Sequence, residues 1–367
     1  MKDKLEELSG MRAKPKLGGS AARIADQHTK GKLTARERLD MPQDSGSFQE
    51  LDRLAGGQNC GDGAGGSDQH PLLRSGSIGL RAAEVLKPGV QGRVLASFSR
   101  ACDLVTDQGQ VMALACDVVG DGPFNIVLEG TTDARPAWPR PGTRFRGNRK
   151  VIELHDEAGD CFIDLSAALC WDPTPDWSLL AGRRRYLLDG AKIIAAILTD
   201  LEVESAGAAP HSATRSWRDI TGQVVQAHRQ GDTTVLFNTL YDLCGCGPGL
   251  TPAGDDWLAG WLLGLRGLGD VQGADNHGRS LLRMTAQRTT ALSRALLACA
   301  AAGEVDATWH TLLSALAAGS CQQVETATRR ILSHGATSGA AMLLGFLAGL
   351  GVRSSRSHPG RGEECLF

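Results

Sequence analysis

A change of hydrophobic period near residue 185 limits what this 367-residue chain can fold into more than any other feature. Before it, between residues 92 and 165, short runs rich in Val, Ile and Leu recur at 94–98, 111–116, 124–128, 151–154 and 162–165. Runs of this length bounded by Gly, Pro, Asp and Asn read as strands. Asp107, Gln108 and Gly109 form a hairpin signal between the first two, and Gly120, Asp121, Gly122 and Pro123 break the chain before the third. No stretch of crossover-helix length separates the runs, so an antiparallel meander is expected. After residue 185 the apolar spacing lengthens, which predicts helices over 188–201, 217–228, 257–268, 281–302, 309–318, 324–332 and 340–350. Trp257, Leu258, Trp261, Leu262 and Leu265 line one face of the third. The expected class is α+β: an antiparallel β-rich domain over 71–180, then a mainly α-helical domain over 181–352.

Residues 1–53 stand apart as a helical extension, because six of the nine lysines fall at positions 2, 4, 14, 16, 30 and 32. A glycine-rich linker at 54–70 separates it from the body, and 353–367 read as a disordered tail. A formal net charge of −2 argues against nucleic acid or an anionic membrane as the main partner. The charged N-terminus lacks a signal-peptide core and no apolar run is long enough to span a bilayer, so a cytoplasmic protein is expected. Ten cysteines without a CxxC pair support neither a zinc site nor a disulfide framework.

The sharpest local signal is CGCGPGLTPAGDD at 244–256, with the glycine turn and acidic helix start in its GPGLTPAGDD part, 247–256. Thr251 suits an N-cap and Pro252 a first helical turn, so free amides of the following helix should face the glycine turn. Such an end favours phosphate or carboxylate, and Gly247 and Gly249 let the backbone approach a ligand closely. Gly249 and Gly254 keep the spacing of a P-loop, but Asp255 and Asp256 stand where that motif needs Lys and a hydroxyl residue. Two adjacent carboxylates would accept a phosphorylated ligand through a bridging Mg²⁺, or would simply favour the helix dipole. Two further segments carry hydroxyls. GATSG at 335–339 precedes an apolar helix, as capping residues do, and RTTALS at 288–293 reads either as an anion-facing or as an exposed helix face. There is no G-x-S-x-G elbow, and His228, His277 and His310 lack metal-ligand spacing.

Two family resemblances lie on opposite sides of the linker. LGGS at 17–20, ARIADQH at 22–28, GKLTARERL at 31–39 and GSFQELD at 46–52 make residues 4–53 resemble the N-terminus of acyl-CoA carboxylase carboxyltransferase β subunits. That family's catalytic sites should lie in its much larger remainder, so carboxyltransferase activity is not implied. GDGPFNIV at 120–127, WDP at 171–173, GPGLTPAGDD, RTTALS and GATSG make residues 71–351 resemble a bacterial family that includes an oxamate carbamoyltransferase subunit of allantoin degradation. The resemblance implies partner subunits in a hetero-oligomer that cleaves an oxalurate-type substrate with phosphate. Against that background Asn125, Gly247, Gly249, Thr251, Gly254, Arg288, Thr289, Thr337, Ser338 and Gly339 become candidates for one anion or phosphate pocket, with Asp255 and Asp256 as the candidate Mg²⁺ ligands on the carboxylate reading above. Ala253 and Cys246 depart from the family's pattern, where a serine and an aliphatic residue are expected.

Overall fold

The computed structural model describes residues 72–131, 138–156, 159–200, 217–333, 335 and 337–352. All lie in one of the two units into which the chain divides, Gln69–Phe367. The expected N-terminal extension, linker and C-terminal tail fall outside the described residues.

The strands come first: β1 (Leu72–Gly79), β2 (Val90–Ser97), β3 (Ala101–Thr106), β4 (Val111–Cys116), β5 (Asn125–Leu128), β6 (Arg144–Gly147), β7 (Val151–Asp156), β8 (Gly159–Asp164) and β9 (Leu169–Trp171), with a short helix α1 (Leu80–Val85) after β1. They form one nine-stranded sheet in the order β5-β4-β3-β2-β6-β7-β8-β1-β9, and β1 also pairs with β5, which closes it into a barrel. Alternate residues from successive strands point inward, among them Cys102, Leu104, Met112, Leu114, Ile126, Phe145, Ile152, Leu154 and Ile163. The period of two thus builds the barrel core.

The meander expectation holds only in part. β2-β3-β4 and β6-β7-β8 are antiparallel, but β4 pairs with β5 in parallel. β1 lies parallel to β8 and then to β9. The turn at Asp107–Gly109 joins β3 to β4, and the first expected pair has β3 between its members. Asp103 in the middle of β3 hides that strand's apolar run.

The helical domain holds a 3₁₀ turn (Trp177–Leu180) and α2 (Arg184–Asp200), α3 (Trp217–Gln230), α4 (Thr233–Leu243), α5 (Ala253–Gly267), α6 (Val271–Met284), α7 (Ala291–Ala302), α8 (Ala307–Ala318), α9 (Cys321–Leu332) and α10 (Ser338–Gly349). The helix expected over 281–302 is two, because the Thr290 hydroxyl accepts from the Ser293 amide at 3.0 Å and starts α7 afresh. At the centre α5 and α10 touch backbone to backbone. A Cβ on Gly260 would stand 1.9 Å from the Met342 carbonyl oxygen, and one on Gly345 would stand 1.9 Å from that of Trp257. Gly264 and Gly349 repeat the contact one turn on, so the two helices run parallel and their N-termini share one end.

The motifs at 120–127 and 171–173 join the barrel to the helices. The Ala307 amide donates to the Asp121 carbonyl at 3.0 Å and the Val305 amide to that of Pro173 at 2.9 Å, while His310 packs on Trp171. Arg81 of α1 grips the buried Glu304 with Nε at 2.8 Å and a second bond from Nη2. Arg81→Ala would leave that carboxylate without its cation. Because Arg81 is itself a third exposed, the expected loss is about 2 kcal/mol, below the usual cost for a fully buried pair. A thermal melt compared with Arg81→Lys, which keeps the charge and not the fork, checks it.

Candidate functional site

α5 begins below a turn that only glycine can make at two points: Gly247 and Gly249 have φ of 119° and 94°. The Gly254 amide closes the turn on the Cys246 carbonyl at 2.8 Å, so this amide is spent inside the turn and is not offered to a ligand as expected. Gly254 itself packs beneath Leu243, whose carbonyl oxygen would stand 2.0 Å from an added Cβ. Thr251 is not the cap. The N-cap position is Pro252, without a side-chain bond, and the Thr251 hydroxyl lies 3.0 Å from that of Ser338, 87 residues away in sequence.

The same correction applies at α10. Thr337 occupies its N-cap position and makes no capping bond, while Ser338 reaches Thr251 and Asp256 instead. Gly339 lets this end seat on the last turn of α9, where an added Cβ would stand 2.0 Å from the Ile331 carbonyl oxygen. α7 arrives from a third direction, its Thr290 hydroxyl donating to the Leu250 carbonyl. Three helix N-termini, from three separate sequence motifs, therefore meet around residues 250–256. Each carries a partial positive charge.

The two acids differ sharply. Asp255, 2% exposed, accepts from the Gly245 amide at 2.9 Å, the Ser293 hydroxyl at 2.9 Å and the Thr289 hydroxyl. It is wholly used as an acceptor that ties the turn to α7. Asp256, 8% exposed, has the Ser338 hydroxyl on one oxygen, and its Oδ2 has no partner. Burial, with a smaller push from Asp255, lifts its carboxyl to about 7 against the pull of Ser338.

This donor set does not fit a bridging Mg²⁺. Three donors already hold the two oxygens of Asp255, and a cation bridging the pair would have to displace them. Cys244 is no nucleophile either, since its thiol donates to the Leu240 carbonyl and burial pushes it up to about 12.

At the rim, the exposed Arg288 lies in the break between α6 and α7, not on a helix face. Its Cζ is 4.1 Å from the centre of the Tyr241 ring. Gly245 packs on the Arg288 carbonyl so closely that a Cβ would stand 1.9 Å from the oxygen. Gly245 belongs to the glycine-rich signal, but its contact with Arg288, like the role of Tyr241, arises only when α4 and the α6–α7 break come together. Asn125 is placed elsewhere, on β5, where its Nδ2 donates to the Gly120 carbonyl at 2.9 Å and braces the joint to the helices.

The family described as oxamate carbamoyltransferase subunit AllH matches residues 243–350, and the AllH family N-terminal domain matches 74–170. The chain is 58% identical over 52 residues to the propionyl-CoA carboxylase beta chain of Roseobacter denitrificans, a stretch making up 14% of this chain and 10% of that protein. It is 47% identical over 54 residues to methylmalonyl-CoA decarboxylase subunit alpha of Veillonella parvula, covering 15% and 11%. It is 40% identical over 95 residues to the mitochondrial propionyl-CoA carboxylase beta chain of Sus scrofa, covering 26% and 16%. The chain thus spans only about a tenth to a sixth of the length of these relatives. No solved structure matches it. No helix of the described residues is long and apolar enough to cross a membrane. With both domains of one family matched in order, the body of this chain belongs to the AllH family of oxamate carbamoyltransferase subunits.

Proposed function

We propose that the chain works as one subunit of an oxamate-carbamoyltransferase-like complex, and that it binds a small carboxylate or phosphate where the N-termini of α5 and α10 meet. The observation that carries this reading is the convergence of GPGLTPAGDD, RTTALS and GATSG on one buried cluster. Uncapped helix ends supply a fixed positive potential, and Arg288 adds a cation at the rim. Preorganised dipoles of this kind stabilise negative charge developing on a transferred carbamoyl group. The subunit context of the family supports partner chains, and phosphorolysis of an oxalurate-type substrate is the reaction that follows.

The test is a tagged full-length chain captured with its partners and assayed for phosphate-dependent formation of carbamoyl phosphate from oxalurate. Ser338→Ala, which removes the hydroxyl shared by Thr251 and Asp256, is expected to lower turnover at least about tenfold while the complex still assembles. Unchanged turnover in that variant sinks the assignment of the site. A second reading rests on residues 4–53, whose likeness to carboxylase β chains favours an accessory role beside an acyl-CoA carboxylase. That reading requires carboxylase capture by the full chain and its loss on deleting residues 1–53.

A further inference from the structure

We propose that Asp256 is held as a protonated carboxylic acid and donates its hydrogen bond to an oxygen of a carboxylate ligand seated between the N-termini of α5 and α10. This rests on the reading of the turn as a ligand site and says which atom recognises the ligand. Asp256 is 8% exposed, and its Oδ2 has no partner although the other oxygen meets Ser338. An ionised group here would be a buried anion with one hydroxyl donor, next to a second buried acid that already holds the three available donors. The pair is therefore divided: Asp255 accepts, and Asp256 keeps a proton.

A protonated carboxyl brings an O–H that needs an acceptor, and the described residues offer none to Oδ2. The positive helix ends around it favour an anionic acceptor over a cation. This is the opposite of a Mg²⁺ centre, which would require both acids ionised. The charged or titratable groups around the cluster include Asp255 on α5, Tyr241 and Asp242 on α4, the thiols of Cys244 and Cys246 after it and Arg288 before α7, while α10 contributes the Ser338 hydroxyl. The upward shift of Asp256 agrees with the geometry.

Calorimetric titration of the full chain with oxamate at pH 6 and pH 8.5 tests the proposal. Wild type should bind at least about tenfold more weakly at the higher pH, because losing one proton both removes the donor and adds a repelling charge. Asp256→Asn keeps an N–H donor and should bind with little pH dependence. Melting curves give a readout without ligand. A group whose folded pKa is raised above its unfolded value of 3.8 makes stability fall as pH rises towards about 7, and Asp256→Asn should abolish that part of the slope. Identical pH profiles for wild type and Asp256→Asn overturn the donor role while leaving a ligand site, as does Mg²⁺ binding that only wild type shows. Absence of oxamate binding at either pH overturns the ligand site itself.

Discussion

Replacing Gly345 with alanine should unfold or markedly loosen the helical domain, although alanine is the better helix former. In an exposed helix interior the exchange gains about 1 kcal/mol. At Gly345 the new methyl would stand 1.9 Å from the Trp257 carbonyl oxygen, well inside any van der Waals contact, and the obstacle is backbone. α5 and α10 would have to part, and with them the packing of Trp257, Trp261, Leu343 and Phe346, all at most 1% exposed. Overpacking of side chains costs about 1–3 kcal/mol, and a backbone clash at the centre of the domain belongs at or above the upper end. Gly260→Ala meets the Met342 carbonyl at the same 1.9 Å and should behave alike. Gly222 in α3 has nothing within 4 Å of its Cβ position, so Gly222→Ala is the control and should be neutral or stabilising by up to about 1 kcal/mol. Denaturant melts of the three variants read the contrast directly.

The second large effect belongs to Asp255. Asp255→Ala strips the acceptor from the Gly245 amide and from the hydroxyls of Thr289 and Ser293, all at a buried junction. Each bond to an acidic acceptor contributes about 1.5–3 kcal/mol, and the losses are shared, so a total on the order of 4 kcal/mol is expected. Asp255→Asn keeps two of the three acceptor contacts at best and should cost less. The neighbouring acid behaves differently. Asp255→Ala should lower stability, whereas Asp256→Asn should raise it increasingly as pH climbs from 3.8 towards about 7 and keep that gain above, since it removes a buried group that must take up a proton to fold in that range. Two adjacent acids thus have opposite effects on the same melt.

Much of the architecture is legible in the chain because it rests on local rules. Trp257, Trp261 and Leu265 mark α5 by their spacing, and the Val- and Leu-rich runs mark β2, β4 and β7. What escapes local reading is set by distant partners. β1 closes the barrel through β5, β8 and β9, pairings that no hairpin signal announces. The apolar run through 281–302 conceals a break because Thr290 caps a helix in the middle of it. At the site, the glycines at 247 and 249 are readable from turn chemistry, and so is the start of α5. The hydroxyls are misread as caps. Thr251 and Ser338 look like local N-terminal residues, yet they bond each other across two helices. Asp255 and Asp256 look equivalent in sequence, and only the placement of Gly245, Thr289 and Ser293 around one of them separates their roles.

The most direct test of the central claim is a crystal structure of the full chain grown with oxamate. Density for the ligand at the junction of the α5 and α10 N-termini, within hydrogen-bond distance of Asp256 and the Thr251–Ser338 pair, is the predicted result. Oxamate bound away from residues 247–256, or an empty junction at saturating oxamate, would contradict the account and leave the glycine turn as a device for joining three helices.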